Sequence, residues 1–499
     1  MENIEQNNPQ DEQPTKSLYD RVTGSLVIKF GVVFFLTLIL LIPMNLITDL
    51  ISERKYREQS VSNEIAVKWG KEQVIASPIV VVPYDEVREV VEESSEGVKQ
   101  VVKTVVNRWA QLLPAEVQAT AEVSPEPLKR GIYQAVVYSS KIKLKGKFVG
   151  FDMEKLDVSA EKLKWNEAKL IFGVHDVKGL TANPTLNWGG AKMELGKSNY
   201  EMRPYQENLI VDLPLSGNED LKQGFELDFD IRGSRSLNFL PLAKQTDIDV
   251  KGNWSNPSFN GGHLPESRDV TDQAFAAKWS IPSFSRKLPQ QWTGGQQNIY
   301  DFLGVDLNSE NGEPSANPYD AIPATATVAG VGGSAEMISS DYDMVQINFL
   351  PSINNYQKTT RVTKYGILVI ALTFVSLLFM EIIKKQRVHI IQYVLIGFAM
   401  VLFYALLLAI SEHLGFNIAY LLAALATILL IASFVRAITK NMKSALIFGA
   451  ILSLFYVFIY ILMQLRDYSL IVGTIGVFII LAALMRLSTK IDWYQFDKR

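Results

Sequence analysis

The chain has 499 residues, a formal net charge of −3 and a hydrophobic fraction of 48%. That length exceeds one ordinary core, so at least two domains are expected. The slight acidity excludes a general nucleic-acid binder, which needs a concentrated basic surface to neutralise phosphates, and the absence of cysteine removes disulfides, thiol nucleophiles and thiolate metal sites.

Residues 1–25 begin polar and acidic and read as a polar tail. Residues 26–47 form an apolar run that meets the roughly 20 residues a helix needs to cross a bilayer core about 30 Å thick. Lys29 and Pro43 lie near its two ends, where a long cation reaches water and a missing N–H is tolerated. A cleaved signal peptide has an apolar core of about 7–15 residues followed by small residues. This run is longer, and Pro43-Met44-Asn45 offers no such site, so an uncleaved anchor is expected.

The segment 48–364 holds no comparable run. Its start reads as a helix continuing from the first span, because Ile47, Leu50, Ile51, Val61, Ile65 and Trp69 recur at helical spacings; a stalk packed on the following domain is expected. Beyond Pro78 short β-branched runs dominate. Residues 87–91 and 98–106 flank Ser94-Ser95-Glu96-Gly97 and predict a hairpin. Residues 133–138, 142–144, 148–151, 169–174, 209–213 and 225–231 predict further strands. Pro114, Pro125 and Pro127 mark a candidate break, so one or two β-rich units remain open. Residues 304–321, rich in Asn, Pro, Glu and Gly, read as a loop.

Five more apolar runs follow at 366–383, 390–410, 416–435, 445–463 and 470–485. The expected fold is therefore α+β. It is a six-helix membrane protein with a large β-rich extracytoplasmic domain, 48–364, inserted between the first and second transmembrane helices. A five-helix bundle spans 365–487 and a tail spans 488–499. Orientation follows from the basic residues, which are retained on the cytoplasmic side. Lys16 and Arg21, then Lys384, Lys385 and Arg387, then Arg436, Lys440 and Lys443, and finally Arg486, Lys490, Lys498 and Arg499 fall on one face. The alternate connections hold only Arg466. Both termini are thus expected in the cytoplasm.

No phosphate loop, His-Glu-x-x-His zinc helix or Gly-x-Ser-x-Gly elbow occurs. Gly330–Ser334 is glycine-rich without the strand–helix context of a dinucleotide site and reads as a turn. The histidines are His175, His263, His389 and His413, none placed as a local ligand pair, and no cofactor or metal is expected. Glu381 ends the second span. A candidate polar cluster at the outer membrane face combines Glu412 and His413 with Arg466 and Asp467, which antiparallel helices could bring together. An ion-pair cap is the leading reading of this cluster, ahead of a proton- or substrate-handling site.

Several motifs in order resemble the CreD-like bacterial inner-membrane protein family, named for cell-envelope integrity. They are Leu41-Ile42-Pro43-Met44, Glu53-Arg54, Trp69-Gly70 with Gln73, Pro83-Tyr84, Arg130-Gly131-Ile132-Tyr133, Arg232-Gly233-Ser234 and Trp254-Ser255-Asn256-Pro257-Ser258-Phe259. In the C-terminal part they are Lys364-Tyr365-Gly366, Ile391-Gln392-Tyr393, Ser411-Glu412-His413-Leu414-Gly415-Phe416, Asp467-Tyr468 and Asp492-Trp493-Tyr494. The resemblance implies an inner-membrane protein tied to envelope stress and to a Cre-type two-component system. It supplies no reaction and no catalytic residue.

The function expected from these readings is non-enzymatic binding or scaffolding through a periplasmic domain. The expected partners are membrane lipids and an envelope, cell-wall or protein component; homo-oligomerisation stays open. A transporter or channel is the first alternative, although paired Gly/Pro helix breaks are lacking. A membrane-proximal enzyme on lipid or cell-wall precursors is the second. It would need Glu412 and His413 as its acid/base pair.

Overall fold

The computed structural model describes residues 26–93, 99–156, 158–197, 200, 202, 204–205, 207–286, 288–294, 299, 344–350, 355–384, 388–465 and 469–489. The expected polar tail, hairpin turn, 304–321 loop, Gly330–Ser334 turn and final residues 490–499 lie outside these. The chain forms two units, Met1–Glu58 with Ile353–Arg499, and Gln59–Ser352. Helices therefore flank a large β-rich domain that lies between the first and second membrane spans, a mixed α+β fold.

The helices are α1 (Leu26–Ile39), followed after Leu40 by α2 (Leu41–Trp69), whose part from Gln59 onward belongs to the β unit, then α3 (Asn355–Lys364), α4 (Gly366–Lys384), α5 (Ile390–Leu414), α6 (Phe416–Thr439), α7 (Met442–Gln464) and α8 (Ser469–Ser488) in the helical unit. The break at Leu40 has a local cause. Pro43 cannot donate to the Ile39 carbonyl, while Leu40 N still bonds Leu36 O at 3.0 Å and Met44 N bonds Leu40 O at 3.2 Å. Among the described residues five helices are long and apolar enough to cross a membrane, namely Ile28–Trp69, Gly366–Lys384, Ile390–Leu414, Phe416–Thr439 and Met442–Gln464. The last apolar helix, Ile471–Arg486, is shorter.

Helix α3 was not foreseen. Its sequence, NYQKTTRVTK, carries no apolar stripe. It buries Tyr356, Thr359, Val362 and Thr363, and the threonines satisfy their hydroxyls on carbonyls four residues back: Thr359 on Asn355 at 2.9 Å and Thr363 on Thr359 at 2.9 Å. The helix ends are capped locally. His389 accepts from Ile391 N at 3.3 Å while Gln392 accepts from His389 N at 3.0 Å, a capping box that starts α5. Asn441 accepts from Lys443 N at 2.9 Å and starts α7.

In the β unit, among the described residues, the first sheet has ten strands. Its order is Pro257–Gly261, Val345–Phe349, Ser236–Leu240, Gln73–Ala76, Lys169–Val174, Ile79–Glu93, Lys99–Leu112 and Gln291–Gly294, with Glu207–Asp212 added beside Lys169–Val174 and Gly196–Lys197 beside Glu207–Asp212. The second has eight, in the order Ser267–Val270, Phe275–Pro282, Gln245–Gly252, Glu116–Arg130, Tyr133–Lys147, Gly224–Ser234, Thr185–Trp188 and Ala191–Glu194. Their inner faces share one core. Phe172 meets Phe229 at 5.0 Å between ring centroids and Tyr138 meets Phe349 at 5.2 Å, each contact joining one sheet to the other. The chain crosses between sheets at Pro114. Pro125 and Pro127, by contrast, sit inside Glu116–Arg130 beyond Val123, where the parallel neighbour has ended at Gly252; proline is tolerated on such an open edge.

The two sheets write different sequence patterns. A second apolar cluster covers the other face of the first sheet, so Ile79, Val80, Val81 and Val82 are all buried. Away from Ala135 and Val137, which Val61, Ile65 and Trp69 cover, the second sheet is wet on its outer face. Glu116–Arg130 accordingly alternates, burying Val117, Ala119, Ala121 and Val123. On the wet face Lys143 sits between acidic residues of the next strand, 2.7 Å from Glu226 and 3.2 Å from Asp228. The Lys143 hydrogen bond holds the Glu226 carboxyl below the usual carboxylate range.

Candidate functional site

Polar side chains concentrate at three places, each built by joining distant parts of the sequence. The first is the α5–α6 turn. Gly415 adopts φ 76° there, a left-handed backbone that disfavours other residues. Asn355 clamps both sides of the turn, donating from Nδ2 to Ser411 O at 3.2 Å and accepting at Oδ1 from Phe416 N at 3.3 Å. Beside it the Tyr356 phenol donates to Glu412 Oε1 at 3.2 Å, and Arg54 Nε lies 3.7 Å from the same oxygen. Lys358 stands over the Phe416 ring at 5.6 Å.

Of the four residues singled out from the sequence, Glu412 is half-buried with these partners and His413 is exposed. Arg466 and Asp467 lie outside the described residues. Consecutive helix positions do not face each other, and Glu412 already accepts from one donor and faces a cation. The arrangement is that of a cap on two helix ends. Arg54, Asn355 and Tyr356 escaped sequence reasoning because they lie outside the apolar runs; the Glu53-Arg54 motif was the available signal.

The second place is within the membrane helices. Lys29 of α1 makes an ion pair with the buried Glu381 of α4, and Tyr393 of α5 donates to the other Glu381 oxygen at 2.9 Å. Lys29 and Glu381 are the sole charged residues of the segments 26–47 and 366–383. A lone acid and a lone base in hydrocarbon need partners, a signal by which the pair could have been found. Below the turn, Phe403, Tyr404, Tyr420 and Tyr456 pack together in the bundle core, and the Tyr420 hydroxyl donates to Tyr456 O at 2.7 Å.

The third place is where α2 enters the β unit. Val61, Ile65 and Trp69 pack on Leu128, Ala135 and Val137, and Glu64 pairs with Arg130. The Trp69 indole donates to Tyr138 O at 3.3 Å, and the Arg232 guanidinium stacks on its ring at 4.8 Å. Gln73 is fully buried. Its amide donates to Asp176 O at 3.2 Å and Arg232 O at 3.1 Å, and it accepts from Asp176 N at 3.3 Å. Burial, and then the charge of Glu72, push the Tyr138 phenol well above its ordinary range; it stays protonated and donates to Ser236 O at 2.8 Å. Glycines make this closeness feasible. A Cβ on Gly179 would sit 2.2 Å from Arg232 O, and one on Gly233 would sit 2.3 Å from the Tyr138 hydroxyl.

Among the described residues no group of three or more His, Asp or Glu is placed to hold a metal ion. Comparison with known proteins then decides the family. The family model described as inner membrane protein CreD matches residues 25–494. The chain belongs to the CreD family of inner membrane proteins. It is similar to inner membrane protein CreD of Escherichia coli (strain K12), with 28% identity over 474 residues, covering 94% of each chain. Among solved structures, an M1 zinc metallopeptidase from Deinococcus radiodurans aligns with 34% of this chain and 40% of its own at 9% identity; its TM-score of 0.20 carries no argument. The motifs behind the CreD resemblance fall at the joints just described: Trp69-Gly70, Gln73 and Arg232-Gly233-Ser234 at the helix entry, Ser411–Phe416 at the α5–α6 turn and Tyr393 on Glu381. Trp254 likewise donates to Leu350 O at 3.0 Å. In this CreD-family chain they bind the fold together.

Proposed function

We propose that this chain maintains envelope integrity as a non-enzymatic inner-membrane protein, presenting its β unit on the periplasmic side to an envelope component or a protein partner. The observation that carries this reading is the engagement of Glu412. The carboxylate best suited to acid/base or proton-coupled work is held by Tyr356 and faces Arg54, while its sequence neighbour His413 points elsewhere along the helix. The proposed topology has both termini in the cytoplasm, from the distribution of Lys and Arg.

Two measurements test this. Reporter fusions along the full chain should place residues 59–352 outside and both ends inside; a cytoplasmic β unit overturns the topology. Photo-crosslinkers on the wet face of the second sheet, at Lys141 or Asp230, should capture a discrete envelope partner in native membranes. Absence of any adduct, together with solute flux in liposomes that vanishes on Glu412→Ala, would favour a transporter instead.

A further inference from the structure

The hairpin formed by Ile79–Glu93 and Lys99–Leu112 outruns its sheet. Its first strand pairs with Lys169–Val174 only from Ile79 to Val81, and its second pairs with Gln291–Gly294 only from Trp109 to Leu112. A single bridge joins Tyr84 to Leu163, and Lys164 binds Pro83 O at 2.9 Å and Asp85 at 2.8 Å. Beyond these the hairpin continues as a two-stranded ribbon in register through Glu93 and Lys99, with no further strand beside it among the described residues. An isolated two-stranded ribbon is marginal in water, and exposed β-branched ribbons invite pairing.

The two faces of this ribbon differ. Glu86 lies on one face and binds Arg88 at 3.1 Å and Arg108 at 3.0 Å. The other face brings together Val87 opposite Val105 and Glu89 opposite Lys103, with Val101 two positions beyond. Those valines are 61%, 62% and 61% exposed in the order 87, 105, 101. Glu89 and Lys103 lie 3.6 Å apart. On this face the first strand carries acids, Asp85 and Glu89, and the second a base, Lys103.

We propose that this valine face pairs with the same face of a second copy of the chain, about a two-fold axis parallel to the ribbon. Such an axis turns face to face, keeps strand direction and exchanges left for right. The acidic strand of each copy then lies over the basic strand of the other, with Val87 over Val105 and Glu89 over Lys103 at matching heights. A two-fold axis across the ribbon would instead stack acidic strand on acidic strand, so the charges select the first arrangement. The area is small. Nine residues at about 3.3 Å give a ribbon about 30 Å long and, two strands wide, about 10 Å across. One face therefore offers roughly 300 Å², against about 800 Å² per partner in a stable soluble complex. Anchoring both copies in one membrane supplies the effective concentration that the area lacks. This inference stands apart from the function proposed above and holds for either orientation of the chain.

The cysteine-free sequence permits a direct test. Full-length Val87→Cys and Val105→Cys chains with different tags are co-produced and oxidised in native membranes. The expected result is a mixed disulfide dimer, in several-fold excess over Val87→Cys self-links and over an Arg88→Cys with Thr104→Cys pair on the opposite face. Adding Glu89→Lys to both chains should lower the yield on the order of fivefold, the factor for about 1 kcal/mol, as should Lys103→Glu in both. Combining a Glu89→Lys chain with a Lys103→Glu chain should restore it, which also shows that the variants fold. Equal yields from the two faces, no recovery in the mixed charge pair, or links only to a different protein or to lipid would overturn the proposal.

Discussion

The helical unit and the β unit use polar side chains on different scales. In the β unit charge is abundant and laid out by strand parity, so most pairs resemble Lys143 with Glu226 and Asp228, wet and individually weak. Buried polar side chains occur at the joint around Gln73 and at separate points such as Gln111 and Asn208. In the helical unit polar groups are few, yet Glu381, Tyr393, Asn355 and Glu412 each tie two or more helices. The lesson is that scarcity sets the energetic weight of a polar contact. Where water is near, a lost partner is replaced by solvent; where it is not, the remaining group is stranded.

That contrast can be broken or sharpened in order of size. The largest effect is expected from Lys29→Ala, which leaves Glu381 without its cation and should cost about 3 kcal/mol. It would appear as a lowered thermal midpoint of the detergent-purified chain. Lys29→Met with Glu381→Met should recover most of the loss, since an apolar pair strands nothing. If the double variant melts no higher than the single one, the pair is not acting alone. Next comes Gly179→Ala, whose added methyl would meet Arg232 O and the Gln73 amide; about 1–3 kcal/mol is expected. Loss of protease resistance confined to the β unit would report it.

Tyr356→Phe should cost about 1 kcal/mol by removing one donor from a partly wet carboxylate. The readout is faster proteolysis near the α5–α6 turn. The smallest effect concerns pH. The folded carboxyl of Glu226 is depressed by Lys143. Its contribution is therefore present above the unfolded carboxylate value and is lost as pH falls through the lower, folded one. Glu226→Gln should flatten the melting profile slightly across that acidic window and leave neutral pH nearly unchanged. An equal drop at all pH values would mean the side chain acts through packing.

Legibility in the sequence followed the same physics. Membrane helices declare themselves by length and apolarity. The wet sheet is legible by alternation in strands such as 225–231, whereas Glu116–Arg130 alternates too but is masked by Pro125 and Pro127, which read as a break. The first sheet reads less clearly because both its faces are covered, leaving continuous runs such as 79–82 that carry strand character but no facing. Helix α3 was hidden because two of its four buried positions, Thr359 and Thr363, are threonines, and Tyr356 and Val362 alone make no apolar stripe. Lys29 and Glu381, 352 residues apart, each stand out as the lone charge of an apolar segment, but no local pattern pairs one with the other. At the candidate site, sequence reasoning reached Glu412 from its position at a span end. It missed Arg54 and Tyr356 because the search followed the apolar runs. Gly179 and Gly233 could be recognised as spacers only once Arg232, Gln73 and Tyr138 were placed around them.

We propose that the polar residues at the α5–α6 turn act by holding the fold. The most direct test compares Glu412→Gln and the Glu412→Ala/His413→Ala double variant with the parent chain in cells, scoring envelope sensitivity at matched amounts of folded protein and measuring thermal midpoints of the purified chains. The account predicts lowered midpoints with envelope function in proportion to folded protein. Function abolished while the midpoint stays at the parent value would contradict it and make Glu412 a working residue.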